Sequence, residues 1–277
     1  MAIRISTNVE SVFAQKHLAR TQRNMRSDMQ KLSSGLRITK AADDAAGMGV
    51  SEKMRAHISS LKMADRNTQD AISMVQTAEG AASEISNILG RMRELAVESS
   101  SEVLQATERA YLETEFDALQ GEAERIAQAT DFNGLKLTDG TTTEVSVQVG
   151  IFNVTAEDRI TVNLTAVDTT SLAVNTSAIS VSSVSGAQAS ITALDVAIDS
   201  LNSARANYGA DQNRLSSAVR NLENYTENLV EAESRIRDVD FAEATSSLTR
   251  NQIFQQAGIS VLSQANSAPS AALSLLS

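Results

Sequence analysis

A ladder of apolar residues in the second half of the chain restricts the possible folds more than any other feature of the sequence. It runs from Leu194 to Val239 in alternating steps of three and four, with Arg205 and Gln212 as polar interruptions. Such steps place every member on one face of an α-helix. The pattern therefore predicts one helix of roughly 45 residues, about 70 Å long. An acidic capping box starting at Thr192 predicts where this helix begins.

The first half of the chain carries matching helical patterns. One apolar ladder runs from Val50 to Met92 and a shorter one from Leu112 to Ile126, and amphipathic segments lie near both ends, at about 7–32 and 241–276. A single proline, Pro269, leaves almost the whole chain free of the strongest helix breaker. The sequence is therefore predicted to form long helices. The two terminal helices are too polar or too rich in alanine to fold alone.

The middle of the chain has a different composition. At about 138–190 Ser, Thr and Val prevail, and apolar residues alternate with polar ones at 144–149 and 159–164. This alternation predicts a β-hairpin, while 177–190 is predicted to be a loop or a weak strand. Because the β region is central, the two helical halves must lie side by side. The expected fold class is mainly α: an elongated antiparallel helical bundle or coiled coil with a small central β-hairpin region.

Charge and composition exclude several classes of protein. The net charge of −10 and the pI near 4.8 provide no basic face for a nucleic acid. No apolar run approaches the roughly 20 residues that span a bilayer. The opening Met1-Ala2-Ile3-Arg4-Ile5 turns polar before a signal-peptide core can form. The chain has no cysteine, which excludes disulfides, thiol catalysis and cysteine-ligated metals.

Motifs that carry chemistry are missing. The sequence has no P-loop, no GxGxxG, no HExxH, no EF-hand spacing and no nucleophile elbow. His17 and His57 lie in separate predicted helices, where a surface or packing role is expected. The acidic pairs Asp43-Asp44 and Asp238-Val-Asp240 are expected to cap helices or form salt bridges, with a divalent ion as the alternative if they come together. We therefore expect no enzyme activity, no cofactor and no metal site.

Several motifs, in order along the chain, resemble those of bacterial flagellins. In the first half they are Leu32-Ser-Ser-Gly-Leu-Arg-Ile38, Ala42-Asp-Asp-Ala-Ala-Gly47, Ser51-Glu-Lys-Met54, Asn67-Thr-Gln-Asp70 and Gln76-Thr-Ala-Glu-Gly80. In the second half they are Gln212-Asn-Arg-Leu215, Ala232-Glu-Ser-Arg-Ile-Arg-Asp-Val-Asp240 and Gln255-Gln-Ala257. Phe132-Asn-Gly134 and Gln148-Val-Gly150 match the central segment. The resemblance covers essentially the whole chain but not the large hypervariable outer domain of many flagellins. It indicates a minimal flagellin with two inner domains.

The resemblance implies a structural function, because flagellins are exported unfolded and polymerise helically into the filament that propels the cell. It implies an inner domain in which residues 1–44 and 236–277 pair as a coiled coil. A helical rod domain at 45–235 would contain the β-hairpin excursion at about 138–190. The residues expected in terminal coiled-coil and inter-subunit packing are Val9, Val12, Met25, Met29, Leu32, Ile253, Leu262, Leu273 and Leu276.

The resemblance also implies partners and a location. The partners are further copies of the chain, an export chaperone covering about 253–276, the type III export apparatus, and the hook-associated junction and cap proteins. The location is the extracellular flagellar filament. Arg91, Leu95 and Glu115 match positions through which the Toll-like flagellin receptor of animals recognises flagellins, and would first serve subunit packing. No nucleic acid and no membrane insertion are expected.

Two other functions remain open on the sequence alone. A hook-filament junction protein would share the terminal helices but less of the Ser-Ser-Gly-Leu-Arg and Ser-Arg-Ile-Arg-Asp motifs, which favour the filament subunit. A helical enzyme or cytosolic scaffold would be compact, protease-resistant at both ends, and monomeric or a closed oligomer. Seeded polymerisation separates these possibilities.

Overall fold

A computed structural model of the protein describes the backbone of residues 8–274 and the side chains of residues 8–267. The described residues are mainly helical, which confirms the mainly α fold class. The helices are α1 (Val9–Ser34), α2 (Ala45–Ser99), α3 (Ala106–Ala129), the single-turn α4 (Thr155–Asp158), α5 (Val184–Arg237) and α6 (Phe241–Ser274). The strands are β1 (Asp131–Phe132), β2 (Leu135–Lys136), β3 (Glu144–Gln148) and β4 (Arg159–Asn163). None of the described helices is long and apolar enough to cross a membrane.

The long helix α5 is confirmed, but it begins earlier than predicted. The capping box at Thr192 is wrong as a helix start, because Thr192 lies inside α5 and the Asp195 carboxylate pairs with Arg93 at 2.6 Å. Residues 184–190 were expected to lie in a loop or weak strand and instead form the first turns of α5. Burial of Ala187 against the core stabilises these turns and outweighs their weak local helix propensity.

The chain divides into two compact units. We call Met1–Ile58 with Glu227–Ser277 the terminal unit, and Ser59–Thr226 the central unit. Helices α2 and α5 each contribute residues to both. The domain boundaries expected at 44 and 236 remain predictions about the assembled filament.

The central unit contains a well-packed hydrophobic core. Within this unit α2 and α5 run antiparallel, as shown by the Arg93–Asp195 pair and by the Arg205–Glu79 pair at 3.0 Å. The predicted polar interruption at Arg205 is thus satisfied by an acid on the facing helix. The fully buried large side chains of the central unit are Leu61, Ile85, Leu89, Met92, Leu95, Phe116, Leu137, Leu194, Leu201, Tyr208 and Leu215.

Two antiparallel hairpins complete the central unit. Strands β3 and β4 pair in the register Glu144↔Asn163 to Gln148↔Arg159, which confirms the predicted hairpin. The Tyr208 hydroxyl of α5 accepts a hydrogen bond from the Thr165 amide at 3.2 Å and donates to the Thr165 carbonyl at 3.3 Å. The hairpin is therefore fixed to α5 just beyond its second strand.

Strands β1 and β2 form a second hairpin, which the apolar patterns did not predict. Its turn is Asn133-Gly134, where both residues have positive φ, of 52° and 82°. Asn and Gly are the residues that adopt this left-handed conformation most easily, and such a turn joins two strands tightly.

Candidate functional site

In the terminal unit, α1 and α6 pack against each other as an antiparallel pair. The side-chain amide of Asn8 donates to the Ala265 carbonyl at 2.7 Å, and the side-chain amide of Asn251 donates to the Asp28 carboxylate at 2.7 Å. Residues early in α1 therefore contact residues late in α6, and the reverse. The predicted pairing of the two terminal segments is observed over the described residues.

This pair contains almost no hydrophobic core of its own. Over the described side chains, the buried residues are Ser11 on α1 and only Ala244 and Ala265 on α6. Larger apolar side chains on the same helices are more than 40% exposed: Val9, Val12, Phe13 and Met29 on α1, and Phe241, Ile253, Phe254, Ile259 and Val261 on α6. Apolar surface of this extent on one helix pair marks a surface that associates with another protein.

The structure places the predicted terminal packing residues in two groups. Val9, Val12, Met29 and Ile253 are exposed, and Met25, Leu32 and Leu262 are half-buried. Leu276 lies outside the described residues, and the side chain of Leu273 lies outside the described side chains.

A groove of about 830 Å³ lies along one side of the α1–α6 pair. Val9, Phe13 and His17 line it from α1, and Ala257 and Val261 line it from α6. The rings of Phe13 and His17 meet edge to face with their centroids 4.5 Å apart. The groove is therefore a preformed apolar surface with an imidazole in its wall.

Backbone pairing joins the segment after α1 to the end of α5. The Arg37 amide donates to the Arg237 carbonyl at 2.7 Å, and the Val239 amide donates to the Gly35 carbonyl at 3.0 Å. The Arg237 guanidinium also pairs with Glu52 at 2.7 Å, and this hydrogen bond lowers the pKa of Glu52. The Ser-Ser-Gly-Leu-Arg and Ser-Arg-Ile-Arg-Asp motifs, about 200 residues apart in sequence, thus contact each other. Periodicity gives no signal for such a pairing.

The structure brings two of the three predicted receptor-recognition residues together. In the central unit, the Arg91 guanidinium on α2 contacts the Glu115 carboxylate on α3 at 2.8 Å, and both side chains are about half exposed. The hydrogen bond to Glu115 raises the pKa of Arg91. Leu95 lies one turn further along α2 with only 1% of its surface exposed, and it belongs to the core.

The acidic pairs cap turns and helices, as the sequence predicted. Asp43 accepts hydrogen bonds from the Thr39 and Lys40 amides, and the Thr39 amide in particular lowers the pKa of Asp43. Asp44 accepts from the Gly47 amide in the first turn of α2. Among the described residues, no three His, Asp or Glu side chains are grouped closely enough to hold a metal ion.

Comparison with protein families gives two matches. The model of the bacterial flagellin N-terminal helical region matches residues 5–143, and that of the bacterial flagellin C-terminal helical region matches residues 191–276. The two matches together span α1, α2 and α6, and α5 from residue 191 onward.

Curated relatives match over nearly the whole chain. A flagellin from Halalkalibacterium halodurans is 44% identical over 272 residues, covering 98% of this chain and 99% of the relative. The flagellar filament 33 kDa core protein of Treponema phagedenis is 39% identical, covering 98% and 99%. Flagellin from Bacillus subtilis is 38% identical, covering 99% and 100%.

Solved structures agree with this pattern. The crystal structure of Bacillus cereus flagellin matches with a TM-score of 0.50 and 34% identity, covering 57% of this chain and 88% of that one. A protein described as a flagellar hook-associated protein from Vibrio parahaemolyticus matches with a TM-score of 0.60 and 15% identity, covering 71% and 100%. At that identity the second likeness shows the fold alone.

Proposed function

The chain belongs to the bacterial flagellin family, and from this premise we propose that the α1–α6 pair is the surface through which it polymerises. The protein is a structural subunit of the flagellar filament and not an enzyme. The subunits add through the apolar side chains of this pair, in an inner domain formed by residues 1–44 and 236–277. Contacts that do not close on themselves then produce a filament instead of a ring.

The observation that carries this proposal is the contrast between the central unit and the α1–α6 pair. The central unit buries eleven large side chains almost completely, whereas α1 and α6 bury only Ser11 and two alanines among their described side chains. Helices without a core gain most of their stability from packing against other elements. For α1 and α6, the chemistry of the exposed side chains fits further copies of the same pair.

Seeded polymerisation tests the proposal. Purified full-length protein is mixed with short sheared filaments, and negative-stain electron microscopy measures filament growth. We expect long filaments from the native chain and none from Val12→Asp, which places a charge in the proposed contact. Val103→Asp is the matched control, because Val103 is 90% exposed but lies in the central unit. Persistent monomers with protease-resistant ends would contradict the proposal.

The hook-filament junction alternative is not favoured. Identity to flagellins reaches 44% along nearly the whole chain, whereas the hook-associated structure is 15% identical. Hook-associated junction and cap proteins fit better as partners, and one structure described as a hook-associated protein shares the fold with a TM-score of 0.60. We propose that they contact the same terminal helices at the two ends of the filament.

We also propose that the chain is exported unfolded through the flagellar type III apparatus and acts outside the cell. The sparse core of the terminal unit and the absence of cysteine support passage as an unfolded chain. An export chaperone covers about 253–276, where apolar residues alternate with uncharged polar ones. Deletion of the export apparatus should leave the protein inside the cell, bound to its chaperone. Release into the medium by that strain would contradict this route.

Recognition by the Toll-like flagellin receptor is a separate proposal about Arg91, Leu95 and Glu115. The Arg91–Glu115 pair offers an exposed ionic contact, and buried Leu95 holds α2 in place beneath it. In a cell reporter assay, Arg91→Ala should reduce the response to purified monomer. Arg93→Ala is the control, since it removes a comparable exposed ion pair with Asp195. No response to the native monomer would refute receptor binding.

A further inference from the structure

The turn of the β1–β2 hairpin contains the only asparagine of the chain that is followed by glycine. Asn133 and Gly134 are both exposed. Because glycine has no Cβ, its backbone nitrogen is the least hindered for attack on the preceding side chain. Asparagine is itself one of the chemically labile residue types. This turn is therefore the place in the chain where a side-chain amide and a backbone nitrogen can react most easily.

The reaction is a deamidation that consumes only water. The Gly134 nitrogen loses its proton and bonds to Cγ of Asn133, while the bond between Cγ and the side-chain nitrogen breaks and ammonia leaves with a proton. The product is a succinimide ring. Water then opens the ring at one or the other of its carbonyls, which yields aspartate or isoaspartate at position 133. No electrons are transferred, so the reaction needs no oxidant or reductant.

The folded turn keeps the reacting nitrogen from this attack. The Gly134 amide donates a hydrogen bond to the Asp131 carboxylate at 3.1 Å, which holds its proton. Asn133 and Gly134 both have positive φ, as in a tight two-residue turn. Ring closure needs the backbone of Asn133 to rotate out of that conformation. The folded hairpin should therefore react much more slowly than an open one.

The hairpin around this turn is small enough to open without unfolding the core. Its strands have two residues each, and just beyond them the Leu137 amide donates to the Thr130 carbonyl at 3.3 Å. A two-stranded hairpin is marginally stable alone, and small segments open at a lower cost than global unfolding. Opening separates the Gly134 amide from Asp131 and frees it to react.

We propose that Asn133 is a deamidation site of the native protein and that the Asp131–Gly134 hydrogen bond limits the rate of the reaction. Isoaspartate adds one carbon to the main chain inside a turn whose length fixes the register of the hairpin. Phe132 and Leu135 flank that turn and pack against the hydrophobic core. The modification should therefore loosen this edge of the central unit. The inference does not depend on polymerisation.

Peptide mapping by mass spectrometry tests the site. Purified full-length monomer is kept in mildly alkaline buffer, and aspartate and isoaspartate are measured against time at each asparagine. We expect both products at Asn133. Asn202 is the internal control, because it precedes the small residue Ser203 but lies inside α5, where helical hydrogen bonds hold the backbone. No modification of Asn133, or modification of Asn202 at the same rate, would overturn the inference.

A pair of variants tests the role of the hydrogen bond. Asp131→Ala removes the acceptor of the Gly134 amide and should accelerate deamidation about 2- to 10-fold, the range that corresponds to one hydrogen bond. Asp139→Ala is the matched control, because Asp139 accepts from the Thr141 amide in the turn after the hairpin. Its rate should equal that of the native chain. An unchanged rate in Asp131→Ala would overturn the proposed role of this bond.

Unfolding separates the turn from the charge of Asp131. In concentrated urea the turn is open, so the native chain and Asp131→Ala should react at nearly the same rate, and both should react faster than the folded native chain. A difference between them that persists in urea would assign the effect to local charge and overturn the role of the turn.

Hydrogen exchange measures the consequence of the modification. The isoaspartate form, separated by ion-exchange chromatography, should exchange the Leu137 amide faster than the native chain, because the hairpin no longer closes beside it. Asn133→Asp is the control, since it has the same charge without the additional main-chain carbon, and its Leu137 amide should exchange at the native rate. Unchanged exchange in the isoaspartate form would refute the expected loosening.

Discussion

Phe13→Ala separates the stability of the monomer from the stability of the filament. The Phe13 side chain is 64% exposed in the groove wall. Full burial of a phenylalanine contributes about 1.5–3 kcal/mol. The part still exposed therefore leaves about 1–2 kcal/mol to be gained when another copy covers the groove. The part already buried accounts for about 1 kcal/mol or less in the monomer.

The expected result is a large effect on assembly and a small one on folding. A loss of about 1–2 kcal/mol per contact raises the critical concentration, which is the concentration of free subunit left at equilibrium with filaments, about 5- to 30-fold. The assay is sedimentation of seeded filaments at pH 8, with the free subunit measured in the supernatant. Circular dichroism of the monomer should be nearly unchanged, because most of the ring faces solvent before assembly.

Phe13→Leu is the matched control for this prediction. Leucine keeps most of the apolar area, so the critical concentration should stay within about threefold of the native value. A critical concentration of Phe13→Ala within twofold of the native value would refute the reasoning. An equal rise in the critical concentration of Phe13→Ala and Phe13→Leu would also refute it, because buried apolar area would then not determine the affinity between subunits.

The central unit gives three further predictions. Leu201→Ala should lower the free energy of unfolding of the monomer by about 2–5 kcal/mol in urea titration, since Leu201 is fully buried. Tyr208→Phe should cost about 1–3 kcal/mol by leaving the Thr165 amide and carbonyl without their hydroxyl partner. Burial raises the pKa of Tyr208, so its contribution is present below about pH 10 and is lost as pH rises through the folded-state pKa. Alkaline denaturation of Tyr208→Phe should therefore show a weaker dependence on pH in that range. Gly150→Ala should increase hydrogen exchange at the tip of the β3–β4 hairpin, because a Cβ there collides with the buried Asp158 carboxylate that accepts from the Phe152 and Val154 amides.

The helices could be predicted because their apolar spacing reflects the core they build. The ladder from Leu194 predicted the buried face of α5, and its polar member Arg205 finds Glu79 on the facing helix. The start of α5 could not be predicted, because 184–190 is rich in Ser, Val and Ala, and its helix depends on tertiary burial of Ala187. Local propensity is a weak guide where packing decides.

The missed features are short or distant in sequence. Strands of two residues show no alternation, although Asn133-Gly134 was a usable turn signal for the β1–β2 hairpin. The pairing of Arg37 with Arg237 joins segments about 200 residues apart, and no periodic pattern records it. The groove was also not predicted, because the resemblance assigned Val9 and Val12 to terminal coiled-coil or inter-subunit packing without showing which surface of the pair stays open.

The sparse packing of α1 and α6 has a thermodynamic consequence for the whole protein. The filament takes up subunits in which the α1–α6 pair is folded and not those in which it is unfolded. Polymerisation therefore stabilises the folded state of these helices beyond what the monomer achieves. Substitutions at buried central residues such as Leu89 or Leu201 change the fraction of unfolded monomer. Substitutions at exposed terminal residues such as Phe13 or Val261 change the critical concentration. The two effects should be uncorrelated across a set of variants, since different side chains determine them. If α1 and α6 were well packed in the monomer, substitutions in them would change both the stability of the monomer and the critical concentration. Less apolar surface would then be left for assembly.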